Sequence, residues 1–175
     1  MVTASNYSLR SWISPLINML CRLIALEDSS DVLTWRNDLA SRKMSINSFV
    51  ILPVEHSTWF ADMLENPDHI GIIGEINGEK IGVVFMLISA GTSKVSINLN
   101  PLHRGKGFAA SLLKSSILEV QKTFPTLQQL TAEIKDTNTA SIKIFVQNGF
   151  NVHIKKADSS IYRLAFETHG GKRDV

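Results

Sequence analysis

A strand pattern, a glycine turn and a helix pattern follow one another directly between residues 94 and 124. Polar and apolar residues alternate over Lys94–Leu99, which is typical of a strand with one buried face. Apolar residues then recur near three- and four-residue spacing from Phe108 to Phe124, which predicts an amphipathic helix. Gly105 and Gly107 lie at the junction. A chain that passes from strand to helix over so few residues brings several backbone N–H groups and the helix dipole to one point.

This junction has the properties of an anion site. The N–H groups, the positive end of the helix dipole and the side chains of Arg104 and Lys106 would together hold a pyrophosphate. A plain turn between a strand and a surface helix would use the same two glycines, so this simpler interpretation stays open. The spacing excludes a Walker loop, which needs Gly-Lys-Ser/Thr, and the dinucleotide fingerprint, which needs a third glycine.

The pattern Arg104-x-x-Gly107-x-Ala109 resembles the acetyl-CoA loop of the GNAT N-acetyltransferase superfamily, written Gln/Arg-x-x-Gly-x-Gly/Ala. The resemblance implies acetyl-CoA as co-substrate, direct acetyl transfer to a primary amine, and no metal. It also implies that a backbone N–H near Leu99 polarises the thioester carbonyl as part of catalysis. The implied cofactor-binding residues in this part of the chain are Ile97, Asn98, Leu99, Arg104, Gly105, Lys106, Gly107, Phe108 and Ala109.

A second block, Asn138–Phe150, resembles the family sequence Asn-x-x-Ser/Ala-x-x-x-Tyr-x-x-x-Gly-Phe. The resemblance implies that Asn138, Ser141 and Phe145 contact coenzyme A. By residue type alone, Asn138 is equally a helix N-cap, and Gly149 a helix stop. Phe145 stands where the family often has a tyrosine that protonates the departing thiolate. Because phenylalanine has no proton to give, either another group or solvent supplies it, or the chain is a CoA-binding module with little turnover.

Near the N-terminus, Trp35-Arg36-Asn37 and Glu55-His56-x-x-Trp59-Phe60 resemble a third pattern. It belongs to a subgroup that acetylates nucleotide-linked amino sugars, as in pseudaminic acid synthesis, and more loosely to ribosomal-protein N-terminal acetyltransferases. The resemblance makes Arg36 and His56 candidates for binding a small-molecule amine acceptor, and Glu55 and His56 candidates for its proton. By residue type alone, Arg36 is a helix-surface charge and His56 a capping or surface histidine. A protein N-terminus or a polyamine remains an alternative acceptor.

The order of predicted elements is strand, two helices, three strands, helix, strand, helix, two strands. This order predicts an α+β fold, an α/β/α sandwich with a mixed, mostly antiparallel sheet, and it is also the order of the GNAT fold. The first strand is expected over Leu20–Leu26, and residues 41–48 are expected to be irregular. We predict an N-terminal arm over 1–19, one acetyltransferase domain over 20–167 and a loose tail over 168–175.

Composition excludes several functional classes. The net charge of +2 over 175 residues is too small to indicate nucleic-acid binding. No uninterrupted apolar span reaches the ~20 residues of a membrane helix. The single cysteine, Cys21, excludes an internal disulfide, and we expect it to be buried rather than nucleophilic. These observations favour a cytoplasmic protein, monomeric or homodimeric, without nucleic-acid or membrane partners.

Overall fold

The computed structural model describes residues 12–14, 19–155 and 160–168. These residues form a single eight-stranded sheet with the strand order β1-β2-β3-β4-β5-β6-β8-β7. The strands are β1 (Trp12–Ser14), β2 (Met19–Leu23), β3 (His69–Ile76), β4 (Glu79–Ser89), β5 (Thr92–Leu99), β6 (Gln129–Lys135), β7 (Asn151–Lys155) and β8 (Ile161–Glu167).

Helices cover both faces of this sheet. They are α1 (Ser29–Asn37), α2 (Leu39–Met44), α3 (Pro53–Glu65), α4 (Phe108–Thr123) and α5 (Thr139–Gln147), with 3-10 turns at Leu26–Asp28 and Pro101–His103. The larger core cluster packs α4 and α5 against the sheet through residues such as Leu112, Leu113 and Phe145. A second cluster packs α1 and α3 on the sheet through residues such as Trp35 and Phe60. The three-layer α+β sandwich with a mixed sheet, predicted from the sequence, is thus confirmed.

One pair of neighbouring strands, β5 and β6, departs from the antiparallel pattern of the sheet. Every neighbouring pair in the described sheet is antiparallel except β5 and β6. These two run parallel and share only the register pairs between Thr92–Lys94 and Gln129–Thr131. Because a parallel connection requires a crossover, α4 carries the chain from one strand to the other.

Tight turns connect the three central strands. Asn77-Gly78 joins β3 to β4 as predicted, with φ values of 52° and 80°. The next hairpin turns at Ala90-Gly91, also with positive φ at both residues, 47° and 77°. Such two-residue turns match the twist of the strands they join.

Two local expectations need correction. The strand predicted over Leu20–Leu26 is β2, which ends at Leu23 because the chain turns at Leu26–Asp28 to enter α1. Residues 41–44, expected to be irregular, belong to α2, whose N-terminus is capped by the Asp38 carboxylate accepting from the Ser41 N–H at 3.0 Å.

The predicted arm over 1–19 contains β1, which pairs with β2 in the register Trp12↔Cys21. Its other residues before Met19 and the predicted tail beyond Thr168 lie outside the described residues. Cys21 is fully buried, as expected, and burial raises the pKa of its thiol to about 11. Among the described residues, no helix combines the length and apolarity that a membrane crossing requires.

Candidate functional site

A deep cleft opens where β5 and β6 diverge. Beyond their three shared register pairs, β5 continues to pair with β4 and β6 with β8. The resulting cleft has a volume of about 1140 Å³. Its walls are the two strands, α1, α2 and the start of α3 on one side, and α4 and α5 on the other. We call the first side, which holds the predicted acceptor residues Arg36 and His56, the acceptor side, and the second, which holds most of the predicted coenzyme residues, the cofactor side.

The cleft brings together thirteen of the fifteen site residues predicted from the sequence. They are Arg36, Glu55, His56, Ile97, Asn98, Leu99, Arg104, Gly105, Gly107, Ala109, Asn138, Ser141 and Phe145. The other two, Lys106 and Phe108, line a separate pocket of about 220 Å³ together with His103 and Glu79.

The free edge of β5 presents backbone donors to the cleft. The two-residue turn at Ala90-Gly91 fixes which β5 residues bond to β4, and hydrogen-bonded and non-bonded pairs alternate from that turn onward. Ile97 and Leu99 fall at non-bonded positions, so their N–H and C=O groups point to the side from which β6 has diverged. The Asn100 N–H donates to the Ile81 carbonyl at 2.9 Å, as this alternation requires.

The N-terminus of α4 is shaped for an anion. Gly107 is the N-cap residue with φ of 82°, and Gly105 has φ of 75°, both in the left-handed region that favours glycine. A Cβ placed on either residue would meet no protein atom within 4 Å, so the space in front of them is open. The first turn of α4 contains no acidic residue, and its N–H groups have no partners within the helix. This arrangement fits the pyrophosphate of coenzyme A.

The side chain of Arg104 does not point freely at this anion site. Its Nη1 donates to the Asp38 carboxylate at 2.7 Å, and its Nη2 donates to Ser41 Oγ at 2.7 Å. Asp38 and Ser41 belong to the N-terminus of α2, on the acceptor side. The interactions of Arg104 therefore connect the glycine loop to a helix that the sequence did not predict.

Two residues of the second predicted block, Asn138 and Phe145, have structural roles. Asn138 caps α5, with Oδ1 accepting from the Ser141 N–H at 3.2 Å, and its Nδ2 donates to the Met44 carbonyl at 3.4 Å. Phe145 lines the cleft but is only 1% exposed, and its ring packs edge-on against Phe150 with centroids 4.9 Å apart. Both ends of the Asn138 amide are therefore used within the protein, and Phe145 contributes an apolar wall to the cleft.

Arg36 lies on the acceptor side of the cleft. Its Nη2 donates to the Asn47 carbonyl at 2.6 Å, whereas its Nη1 is buried without a hydrogen-bond partner. Burial, together with the nearby charge of Arg42, lowers the pKa of the Arg36 guanidinium. A buried guanidinium N–H without a partner is costly, so this group is suited to a ligand that supplies an acceptor oxygen.

Glu55 and His56 lie in the first turn of α3, at the edge of the cleft. The Glu55 carboxylate is exposed and accepts from the Leu52 N–H at 3.1 Å, as an N3 residue does at a helix start. His56 is 3% exposed, and its Nε2 lies 2.9 Å from the Ser29 carbonyl oxygen, which requires a proton on that nitrogen. Burial lowers the pKa of the imidazole, which keeps it neutral near pH 7.

Several residues that line the cleft were not singled out in the sequence. The α2 residues Ala40, Ser41 and Met44 form part of its wall. The Asp38 N-cap just before an apolar residue is the signal from which this helix could have been predicted. Lys94 and Glu133 also line the cleft, and Lys94 Nζ lies 2.5 Å from a Glu133 oxygen. The hydrogen bond from Lys94 lowers the pKa of Glu133, so this carboxylate is a poor proton acceptor.

Among the described residues, no cluster of three or more His, Cys, Asp or Glu side chains is arranged to hold a metal ion.

Comparison with solved structures shows the same fold in several acetyltransferases. Spermidine N-acetyltransferase from Vibrio cholerae, solved with CoA and spermine, superposes with a TM-score of 0.75 at 15% identity, over 85% of this chain and 95% of that chain. An N-acetyltransferase from Staphylococcus aureus Mu50 gives 0.70 at 23% identity, over 88% and 99%. AAC(6')-Ib in complex with parmomycin and acetyl-CoA gives 0.73 at 15% identity, over 87% and 94%.

The sequence itself matches a family model. The model describes an acetyltransferase (GNAT) domain and covers residues 18–151. A search of curated protein sequences finds no significant match. The family match spans most of the chain, and the open sheet and the glycine loop at the start of α4 agree with it. The chain therefore belongs to the GNAT acetyltransferase family and is an N-acetyltransferase that uses acetyl-CoA.

Proposed function

We propose that this enzyme acetylates the primary amine of a small molecule that also carries an anionic group, with a nucleotide-linked amino sugar as the best candidate. The observation that carries this proposal is the guanidinium of Arg36 in the cleft wall, whose Nη1 is buried without a hydrogen-bond partner; Arg42 lies nearby on α2 but does not line the cleft. The hydrogen bonds of Arg36 and Arg42 go to backbone carbonyl groups, and in the described part of the chain neither side chain forms an ion pair with a carboxylate. A diphosphate offers the oxygens that planar guanidinium groups bind best.

The charge of Arg36 in the cleft wall, with that of Arg42 near it, argues against a polyamine. A cationic acceptor would place like charge beside Arg36, whose own pKa is already lowered by burial and by Arg42. Like charges brought close in a partly buried site repel each other strongly. The acceptor side therefore favours an anionic ligand over a spermidine-like one.

The transfer step uses few protein groups. Bound acetyl-CoA supplies the thioester carbonyl that the neutral amine attacks. The Leu99 N–H at the free edge of β5 donates to the carbonyl oxygen as negative charge develops there. Phe145 cannot donate a proton, so the thiolate is protonated by solvent, which a thiol with pKa of ~8.5 allows. No acyl-enzyme forms, because Cys21 is buried in β2, away from the residues that line the cleft.

The amine must lose a proton before or during attack. We assign this proton to Glu55, whose exposed carboxylate lies at the edge of the cleft. His56 provides a second route through its Nδ1, because its Nε2 carries the proton shared with Ser29. The variants Glu55→Gln and His56→Gln distinguish the two routes. The base is the residue whose substitution removes the fall of kcat/KM at acidic pH.

A peptide N-terminus is the second candidate acceptor. The segment beside the acceptor side exposes five apolar side chains: Ile46, Phe49, Val50, Leu52 and Val54. Exposed apolar residues grouped in this way are typical of a surface that contacts another molecule, and a peptide with an apolar second residue fits that description.

An acceptor panel tests the proposal. Release of free thiol from acetyl-CoA would be measured with a UDP-linked 4-amino sugar, the same amino sugar without the nucleotide, spermidine, and ribosomal N-terminal peptides. We expect turnover with the UDP-linked sugar, and a loss of at least tenfold in kcat/KM on Arg36→Met, about the effect of one charged hydrogen bond. Lys114→Met, on the exposed face of α4, is the matched control and should have no effect.

Other outcomes of the panel contradict the proposal in different ways. Equal turnover of the sugar with and without its diphosphate would remove the role assigned to Arg36. Preference for a peptide would support the second candidate. Tight acetyl-CoA binding without thiol release on any acceptor would indicate a CoA-binding module.

A further inference from the structure

We infer that Arg104 is a positioning residue for the acceptor side, which it serves by holding α2 in place from the cofactor loop. Its position in the glycine loop suggests a phosphate ligand, but its contacts do not. Both terminal nitrogens are used, at 2.7 Å from Asp38 and 2.7 Å from Ser41. The paired Asp38 carboxylate also cancels much of the charge that Arg104 would offer to a pyrophosphate.

One oxygen of the Asp38 carboxylate accepts two hydrogen bonds. Oδ2 accepts the Ser41 N–H at 3.0 Å, which caps α2, and it accepts Arg104 Nη1 at 2.7 Å. These hydrogen bonds, from the Ser41 N–H first and then from Arg104, lower the pKa of Asp38 and keep it ionised. Arg104 thus fixes the orientation of the residue that starts the helix.

Further contacts hold α2 across the opening between β5 and β6. Ser41 Oγ donates to Asn98 Oδ1 on β5 at 3.1 Å. At the other end of the helix, Lys135 Nζ donates to the Lys43 carbonyl at 3.2 Å, and Asn138 Nδ2 donates to the Met44 carbonyl at 3.4 Å. The helix is therefore attached to β5 and the glycine loop at its start, and to the end of β6 and the start of α5 at its end.

A six-residue helix depends on such attachments. Helices this short are not stable on their own in water, and α2 has no buried residue to anchor it in the core. Ala40, Ser41 and Met44 nevertheless form part of the cleft wall. Loss of the Arg104 contact should therefore displace this wall, which affects how the acceptor sits more than how acetyl-CoA binds.

Lys106 is the natural comparison within the same loop. It is exposed, and no ion pair found among the described residues includes it. It is thus the loop cation whose charge remains available to a phosphate. If Arg104 positions α2, its removal should affect the acceptor, whereas removal of Lys106 should affect acetyl-CoA.

Steady-state kinetics and calorimetry test this inference on Arg104→Ala, Asp38→Ala, the double variant and Lys106→Ala. For Arg104→Ala and Asp38→Ala we expect the acceptor KM to rise about tenfold, since small displacements of a positioning wall have effects of this size. The Kd of acetyl-CoA should stay within about threefold, because the loop amides are untouched. The effect of the double variant on the acceptor KM should be smaller than the two single effects combined, because both single variants remove the shared Arg104–Asp38 contact. Lys106→Ala should weaken acetyl-CoA binding by an amount that shrinks as salt rises.

The inference rests on the proposed function only for the identity of the acceptor. A second readout, which needs no acceptor, distinguishes a failure of the inference from a failure of the proposed function. KM would be measured with the UDP-linked 4-amino sugar, or with whichever panel amine turns over. Hydrogen exchange of the α2 amides needs no acceptor at all, and it should be faster in Arg104→Ala and Asp38→Ala but unchanged in Lys106→Ala. Arg104→Lys, which keeps the charge and one donor, should recover part of the KM.

One pattern of results would overturn the inference. Arg104 would be a phosphate ligand if Arg104→Ala weakened acetyl-CoA binding more than Lys106→Ala in a salt-dependent way, while Asp38→Ala left the acceptor KM and the α2 amides unchanged. Failure of every acceptor, with faster exchange in α2, would instead count against the proposed substrate alone.

Discussion

Gly107 is the residue on which the cofactor loop depends most directly. Its φ of 82° is unfavourable for any side chain, and the space in front of it is open. We expect Gly107→Val to remove most acetyl-CoA binding, because the new methyl groups enter the space where the pyrophosphate meets the loop amides. The backbone strain should cost on the order of 1–2 kcal/mol of stability. Calorimetry with acetyl-CoA, alongside urea denaturation, measures both effects.

Gly78 is a matched control for this substitution. It has φ of 80°, and a Cβ there also meets nothing within 4 Å, but it lies in the β3–β4 turn and does not line the cleft. Gly78→Val should therefore lose similar stability while binding acetyl-CoA normally. If a folded Gly107→Val protein bound acetyl-CoA as well as Gly78→Val does, the loop would not be the phosphate site.

The roles of individual residues were easiest to predict from the sequence where the backbone conformation requires a particular amino acid. Gly105 and Gly107 were predictable because a strand-to-helix turn with positive φ demands glycine. The partners of Arg104 were not, because Asp38 is 66 positions away and the contact depends on how two distant elements pack. Asn138 had two interpretations, as N-cap and as ligand, and the structure supports its capping role.

Among the larger elements, the junction of β2, β4 and the Leu26–Asp28 turn is held by one buried carboxylate. Asp28 is 0% exposed and lies 2.7 Å from both Arg22 Nη1 and Lys80 Nζ. Burial acts to raise its pKa, but the hydrogen bonds from Arg22 and Lys80 prevail and lower it to about 2. The carboxylate therefore stays ionised and fixes the entry to α1.

Substitution at this junction should be costly. Asp28→Ala removes the buried carboxylate between Arg22 and Lys80, which keep only Glu75 and Asp31 as partners. Because the lost hydrogen bonds are charged, we expect a loss of ~2–3 kcal/mol in the free energy of unfolding by urea. Asp31 is the control, because it also pairs with Lys80 at 2.8 Å but its side chain is 45% exposed. Asp31→Ala should cost no more than ~1 kcal/mol. Similar losses of unfolding free energy in the two variants would show that the burial of Asp28 does not determine its contribution to stability.

Elements with a strong periodic pattern were predictable, and short elements that depend on contacts were not. The hairpin at Asn77-Gly78 and the long helix α4 followed from turn chemistry and apolar spacing. Helix α2 has no buried residue, so its sequence lacks a periodic apolar face, and the Asp38 N-cap is the signal that marks its start. Strand β1 has three residues, too few for an alternating pattern to be recognised.

At the scale of the whole molecule, the element order was sufficient to predict the fold class but not the cleft. The opening arises because β5 and β6 share three register pairs and then pair with different neighbours. Register between strands separated by a helix leaves no local signal in the sequence. For the same reason, the sequence placed Arg36, Glu55 and the glycine loop at one site through family resemblance rather than through spacing.

Acid should destabilise the whole fold through two histidines. Burial lowers the pKa of His56, partly opposed by its hydrogen bond to Ser29, and burial also lowers the pKa of His69, whose ring contacts Trp59 and Phe85. In the unfolded chain both groups return to about 6.5. Below that pH the unfolded state binds protons that the folded state does not.

These two histidines should therefore add no pH dependence to the free energy of unfolding above pH 7. They should make it fall as the pH drops below 6.5. The slope per histidine is at most ~1.4 kcal/mol per pH unit. Urea denaturation between pH 5.5 and pH 7.5 measures it in the wild type and in His56→Gln and His69→Gln, since glutamine does not titrate. Each variant should show a flatter slope than the wild type, even if its stability at pH 7 is lower. A wild-type protein that became more stable between pH 7 and pH 6 would show that protonation of these rings is favoured in the folded state.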